Sequence, residues 1–140
     1  MAEKVNVTKQ INVPSAKVWD AISGIDGLDR WFPIIKTCTV EGTGVGAKRV
    51  CGLGDGAEMH ERIEEINHDA MRFRYAITDS PLPISNHMGT VEISDADDGG
   101  SVISWTAEFD VVAEARDEIV SMLNGAFSDG ISGLEKALQQ

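Results

Sequence analysis

A chain of 140 residues with 42% hydrophobic content is sized for a single domain over residues 1–140, and it carries enough apolar surface to fold rather than stay disordered. Its 12 basic and 23 acidic residues give a net charge of −11, which weighs against a nucleic-acid partner or an anionic membrane, because phosphate binding needs clustered Lys and Arg. No apolar run is long enough to span a bilayer, and the opening MAEKVNVTKQ lacks the apolar stretch of a secretory leader, so no membrane insertion and a cytoplasmic location are expected.

The loose alternation of Val5, Val7, Ile11 and Val13 predicts a strand over 4–13, which Pro14 ends. Ser15 is placed to cap a short helix that carries Val18, Trp19 and Ile22 on one side. GIDGLDRWFP predicts a second short helical turn, ending at Pro33. Strands are then expected at IIKTCTVE and AKRVCGL around GTGVG, and at EMHERIEEI and MRFRYAI around the turn NHD. TDSPLPI holds two prolines and reads as a stiff loop. SNHMGTVEI and SVISWTAEFDV flank SDADDGG, a run of turn residues.

From 114 to 138 the period changes. Ile119, Leu123, Phe127, Ile131, Leu134 and Leu138 follow helical spacing, with Asp117 and Glu118 expected in the first turn, where the helix dipole favours them. Gly125, Gly130 and Gly133 interrupt this helix, either for close approach to a sheet or to leave room for a ligand. The order implies an α+β fold: a curved antiparallel β-sheet wrapped around a long C-terminal α-helix, with two short helices after the first strand. A cavity between the sheet and the helix is a consequence of that curvature.

Strand parity separates two faces. Turns at 54–56, at NHD and near Asp97-Asp98-Gly99 put Arg49 opposite Glu61, Ile63 opposite Phe73, Glu61 opposite Tyr75 and Val91 opposite Trp105. Met59, Ile63, Phe73, Tyr75, Ile77, Val91, Ile93, Ile103, Trp105 and Phe109 then share the inner face. The polar exceptions on that face are Arg49, Glu61, the Tyr75 hydroxyl and His87. An unpaired buried carboxylate is costly, so Glu61 is expected either to pair with Arg49 across the strands or to anchor a polar group in an apolar pocket, two compatible roles.

Several patterns carry no chemistry. GTGVG lies between two strands and opens no helix, which makes it a hairpin turn rather than a dinucleotide fingerprint. The three histidines have no ligand spacing with each other or with Cys38 and Cys51, so no metal and no cofactor is expected. Two cysteines make no disulfide framework, and both thiols are expected to be reduced.

INVPSAKVWDAIS, WFP, ERIEEI, SVISWTAEF and DGISGLEKAL resemble the START-related helix-grip superfamily, in particular its bacterial polyketide cyclase/dehydrase-type branch, over nearly the whole chain. The resemblance implies a sheet gripping the C-terminal helix, two short helices closing one end, and a cavity for hydrophobic molecules such as lipids, polyketides or plant hormones. IIKTC, CGLGDG and ERIE are also similar to plant abscisic acid receptors. That similarity implies a pocket lysine at Lys36, a gate loop at Gly52, Leu53, Gly54 and Asp55, and a pocket glutamate at Glu61. Gly54 replaces the gate proline, SPLPISNH lacks the latch pattern, His87 stands where an aromatic hydroxyl is expected, and Gly130 replaces a polar helix residue. Abscisic acid is therefore not the expected ligand.

Three functions follow as expectations. The first is binding of a hydrophobic or aromatic small molecule, with apolar contact from Phe73, Val91, Ile103, Trp105, Leu123 and Phe127 and a polar head held by Lys36, Arg49, Glu61 and Tyr75. The second is a polyketide cyclase or dehydratase-type enzyme, with Glu61 or His87 as proton acceptor and Lys36 or Arg49 stabilising an enolate. The third is an adaptor that presents the gate or a sheet edge to a protein partner.

Overall fold

The computed structural model describes residues 2–139. β1 (Ala2–Ile11) leads into α1 (Ser15–Ser23) and a single 3-10 turn at Leu28–Arg30. β2 (Thr37–Glu41), β3 (Lys48–Gly52), β4 (Glu58–Asn67), β5 (Arg72–Asp79), β6 (Ile84–Asp95) and β7 (Ser101–Val111) follow, and α2 (Ala113–Leu138) comes last. The strands form one antiparallel sheet in the order β1-β7-β6-β5-β4-β3-β2. β2 to β7 are joined as successive hairpins, whereas β1 pairs with β7. The sheet is curved and α2 packs along its inner face, which is the expected α+β helix-grip arrangement.

Apolar parity drives the packing. Ile63, Phe73, Val91, Ile103 and Trp105 project from consecutive strands into one core, which α2 covers with Ile119, Leu123, Phe127, Ile131 and Leu134. Full burial of each such side chain contributes about 1.5–3 kcal/mol. Trp105 is the hub of the aromatic part. It stacks on Phe127 at 5.0 Å and 14°, and it meets Phe32 and Trp31 edge-on at 5.4 and 6.1 Å. On β1, Lys9 shares the inner parity of Val5 and Ile11. Its Nζ reaches the Ser128 carbonyl at 3.2 Å and the Ser132 hydroxyl at 2.5 Å, tying the edge strand to α2.

Four local expectations are corrected. Ser15 does not cap α1: Pro14 is the N-cap residue, its carbonyl accepts from Lys17 and Val18, and the Ser15 hydroxyl bonds the Asp95 carboxylate on β6 instead. α2 begins at Ala113, so Glu114 is the acid of its first turn, and Asp117 and Glu118 fall in the next. β2 begins at Thr37, not Ile34, because Ile35 N–H bonds back to the Phe32 carbonyl in a turn. The β4–β5 register also differs. Ile63 faces Tyr75, Glu61 faces Ile77 and Ile66 faces Phe73, with irregularities at His60/Glu61 and Ile63/Glu65. The β4–β5 turn runs further than NHD, and a bulge at Glu64 brings Ile66 back to the side of Ile63.

The helix glycines answer to close approach, though not to the sheet. A Cβ on Gly133 would lie 2.0 Å from the Trp31 carbonyl oxygen, and one on Gly130 would lie 2.9 Å from the Phe32 ring. The WFP segment therefore lies directly on α2, whereas nothing approaches Gly125 within 4 Å.

Candidate functional site

The site is built on Arg49 and Glu61, directly opposed on β3 and β4. Arg49 Nε donates to Glu61 Oε1 at 2.7 Å, and Arg49 Nη1 donates to the Ile25 carbonyl at 2.7 Å. The guanidinium lies 5.6 Å from the ring centroids of both Phe73 and Tyr75. Both partners are buried, at 4% and 6% exposure. Burial pushes the Glu61 carboxyl above the usual carboxylate range, with Arg49 opposing it. Burial acts most strongly on Arg49, to lower it, but Glu61 together with Cys51 and Tyr75 outweighs that effect and keeps the guanidinium charged.

Ile25 is itself unusual. It sits at φ 72°, a left-handed conformation that β-branched residues avoid. Such a backbone costs about 1–3 kcal/mol and persists only where its surroundings hold it. Here its N–H bonds the Ile22 carbonyl, its own carbonyl takes Arg49, and the side chain is buried.

β5 and β6 supply Tyr75 and His87. Tyr75 lies across Gly89 of the neighbouring strand, where a Cβ would come within 2.3 Å of the ring. Its hydroxyl accepts from Trp105 Nε1 at 2.9 Å, and burial pushes its pKa up. His87 shares the inward parity of Gly89 and Val91 on β6 and lies at a register shift between Ser85 and Met88, next to Asn86 at φ 51°. The backbone pairing of β5 with β6 stops at Tyr75 and Gly89, and His87 Nδ1 takes the Ile77 N–H at 3.2 Å. Nε2 then carries the proton of the neutral ring. Burial lowers the His87 pKa to about 4.

That shift has a consequence for stability. The ring is neutral in the fold and titrates near 6.5 in the unfolded chain, so its contribution is intact above about pH 6.5. It is lost as pH falls toward 4, by about 3 kcal/mol in all. Urea unfolding at pH 7 and pH 4 is expected to show the parent losing about that much more than His87→Gln. Equal losses would mean that the imidazole is solvated.

A cavity of about 60 Å³ lies between these residues and α2. Leu28, Phe32, Ile34 and Ile35 line it from the segment before β2, and Arg49 and Leu53 from β3 and its turn. Met59, Glu61, Tyr75, Ile77, His87 and Trp105 line it from β4 to β7, with Leu123, Ala126 and Phe127 from α2. Its wall is thus apolar except where the ion pair, the imidazole and the phenol meet. Arg49 also borders a void of about 10 Å³ on its other side, facing α1.

Of the residues singled out from the sequence, Arg49, Glu61, Tyr75, His87, Trp105, Leu123 and Phe127 converge on this cavity. Phe73 and Val91 do not, because they share the inner face but lie on the α1 side of Arg49, around the smaller void. Ile103 is wholly enclosed and lines neither. Lys36 is exposed and turned outward, with its Nζ on the Pro33 carbonyl at 3.0 Å and its stem against Gly54. Of the gate residues, Leu53 faces the cavity. Gly52 ends β3 against Thr37, and Gly54 and Asp55 form the exposed turn closed by Leu53 N–H on the Ala57 carbonyl. Parity missed Leu28, Ile34 and Ile35, because their segment is irregular, and Ala126, because its small side chain gives no periodic signal.

Residues 2–139 match the family described as polyketide cyclase / dehydrase and lipid transport. The MLP-like protein 423 of Arabidopsis thaliana is 26% identical over 125 residues, which is 81% of this chain and 80% of that protein. The protein XoxI from Bacillus cereus superposes with a TM-score of 0.88 at 25% identity, covering 98% of this chain and 96% of that one. Norcoclaurine synthase from Thalictrum flavum, in complex with dopamine and hydroxybenzaldehyde, shares the fold with a TM-score of 0.80 at 16% identity, covering 99% and 87%.

Proposed function

The chain belongs to the polyketide cyclase / dehydrase and lipid transport family, and from that premise we propose that it binds one small apolar or aromatic molecule bearing a single polar head. The observation that carries this reading is the apolar cavity whose only polar wall is the Arg49–Glu61 pair with His87 and Tyr75. Trp105, Leu123 and Phe127 would take the apolar body, and Arg49 and Glu61 the head. The volume of about 60 Å³ falls short of the roughly 300 Å³ or more of ligand pockets, so entry requires the cavity to widen. Its rim offers the means: Ile34, 47% exposed, and Leu53 on the Gly52–Asp55 turn both sit over the mouth. Small aromatic molecules held by a protein of the same fold support this ligand class.

A second reading is favoured by one observation. A carboxyl raised by burial and an imidazole lowered by burial border the same cavity. Both shifts favour the uncharged forms, a carboxyl that can donate a proton beside an imidazole that can accept one, as a cyclase or dehydratase would use.

Native mass spectrometry of freshly purified protein tests the first reading. A one-to-one small-molecule adduct is expected, released on denaturation. Ala126→Phe, which fills the cavity and spares the ion pair, is expected to abolish it. An adduct unchanged by Ala126→Phe would place the ligand elsewhere, and a released product differing from an added substrate would favour the second reading.

A further inference from the structure

Cys38 and Cys51 face each other across β2 and β3. We propose that they form an oxidant-responsive dithiol, with Cys38 meeting a peroxide and Cys51 resolving the product into an intrachain disulfide.

The backbone bonding fixes how the pair is oriented. Ile63 N–H bonds the Ala47 carbonyl and Leu53 N–H bonds the Ala57 carbonyl, so odd-numbered residues of β3 turn their backbone groups toward β4. The even-numbered residues turn theirs toward β2. Cys38 and Cys51 are therefore a non-hydrogen-bonded cross-strand pair, the kind whose Cα atoms lie about 4.5 Å apart with side chains closest. That spacing falls at the short end of the range disulfides span, about 4.4–6.8 Å, so the bond can close with little backbone movement.

The two thiols are not equivalent. Cys51 is wholly buried, whereas Cys38 is half-buried on the edge strand and reachable by a small oxidant. The Cys51 thiol opposite, the Leu28 and Gly27 amides and the Arg49 charge all act on the Cys38 sulfur to favour its thiolate. Together they lower the Cys38 pKa to about 6 against the opposing effect of burial, while the Cys38 sulfur and then burial push Cys51 up. Glu61 and Arg49 are the other charged groups acting on Cys51, with opposite signs.

Hydrogen peroxide supplies the oxidant. The Cys38 thiolate attacks one peroxide oxygen, the O–O bond breaks, and hydroxide leaves to become water on taking a proton. The resulting sulfenic acid has lost the negative charge that held the Cys51 proton. The Cys51 sulfur then attacks the Cys38 sulfur, the S–O bond breaks, and the departing hydroxide takes the Cys51 proton as a second water. Two thiols are oxidised by two electrons in all, and one peroxide is reduced to two waters.

Intact-mass measurement and non-reducing peptide mapping after peroxide treatment at pH 7 test the step. The monomer is expected to lose the mass of two hydrogens, with the Cys38 peptide linked to the Cys51 peptide and the loss reversed by dithiothreitol. Cys38→Ser and Cys51→Ser should each abolish it. In the reduced protein at pH 6, iodoacetamide should modify Cys38 on the order of tenfold faster in the fold than in urea, the larger thiolate fraction outweighing its weaker nucleophilicity. The proposal is overturned if peroxide carries Cys38 to sulfinic or sulfonic acid while Cys51 stays a free thiol, if only intermolecular disulfides form, or if Cys38 reacts no faster folded than unfolded.

Discussion

Replacing Arg49 by Met is expected to destabilise the fold by about 3–5 kcal/mol, the cost of leaving a buried charge without its partner. Glu61 would keep its 6% exposure and lose the donor at 2.7 Å, and the Ile25 carbonyl would lose its own. The double variant Arg49→Met with Glu61→Leu should recover most of the loss, because a hydrophobic pair of similar volume removes both desolvation costs. The pH dependence has a definite sign. With its partner gone, Glu61 has a folded pKa still further above the unfolded value, so its proton is held more tightly in the fold. The contribution of that proton is complete below about pH 4 and is lost as pH rises through the raised value. The deficit of Arg49→Met should therefore be largest at pH 7 and shrink toward pH 4 in urea unfolding. A deficit below about 1 kcal/mol at pH 7 would show that Glu61 is solvated and not the costly buried charge described here.

Gly133→Ala and Gly125→Ala should move stability in opposite directions although both sit inside α2. A methyl at 133 has nowhere to go: the Trp31 carbonyl oxygen is 2.0 Å from its place and the Trp31 carbonyl carbon 3.2 Å. Forcing the helix off that backbone costs about 1–3 kcal/mol, against a helix-propensity gain of about 1. The net loss is expected to show in thermal unfolding, with any ligand affinity falling too, since Phe32 next to Trp31 lines the cavity. At 125 the methyl meets nothing, and the propensity gain of up to about 1 kcal/mol should appear alone. If both variants behaved alike, the packing of the WFP segment on α2 would be looser than described.

Alternation was enough to read which face each strand turns inward, and so to put Arg49, Glu61, Tyr75 and His87 on the inner side. Register was less legible. Parity pairs Ile63 with Phe73, but Ile63 is opposite Tyr75, a shift of two positions that changes partners and leaves the face unchanged. Bulges leave little trace in a single sequence, since Glu64-Glu65 reads as two polar residues with or without one. Helical spacing found Leu123 and Phe127. Strand alternation says nothing of depth, so it groups Val91, Phe73 and Ile103 with the cavity residues although Arg49 or the core separates them from the cavity. The glycines of α2 fit a close contact or room for a ligand equally in the sequence, and neither reading names the segment from 31 to 33 that lies on Gly130 and Gly133.

The pairing of β1 with β7 has a further consequence, for synthesis. Asn6 bonds Thr106, 100 positions along the chain, and Lys9 waits for Ser128 and Ser132 of α2. A ribosome adding about 5–20 residues per second leaves β1 without its strand partner for roughly 5–20 seconds. The hairpins from β2 to β7 can form as they emerge, each from neighbours already made. The nascent chain thus grows its sheet from the β2 edge across to β7 and closes the other edge last by recruiting its own first strand. During that interval the unpaired backbone of β1 is the segment that chaperones are expected to hold.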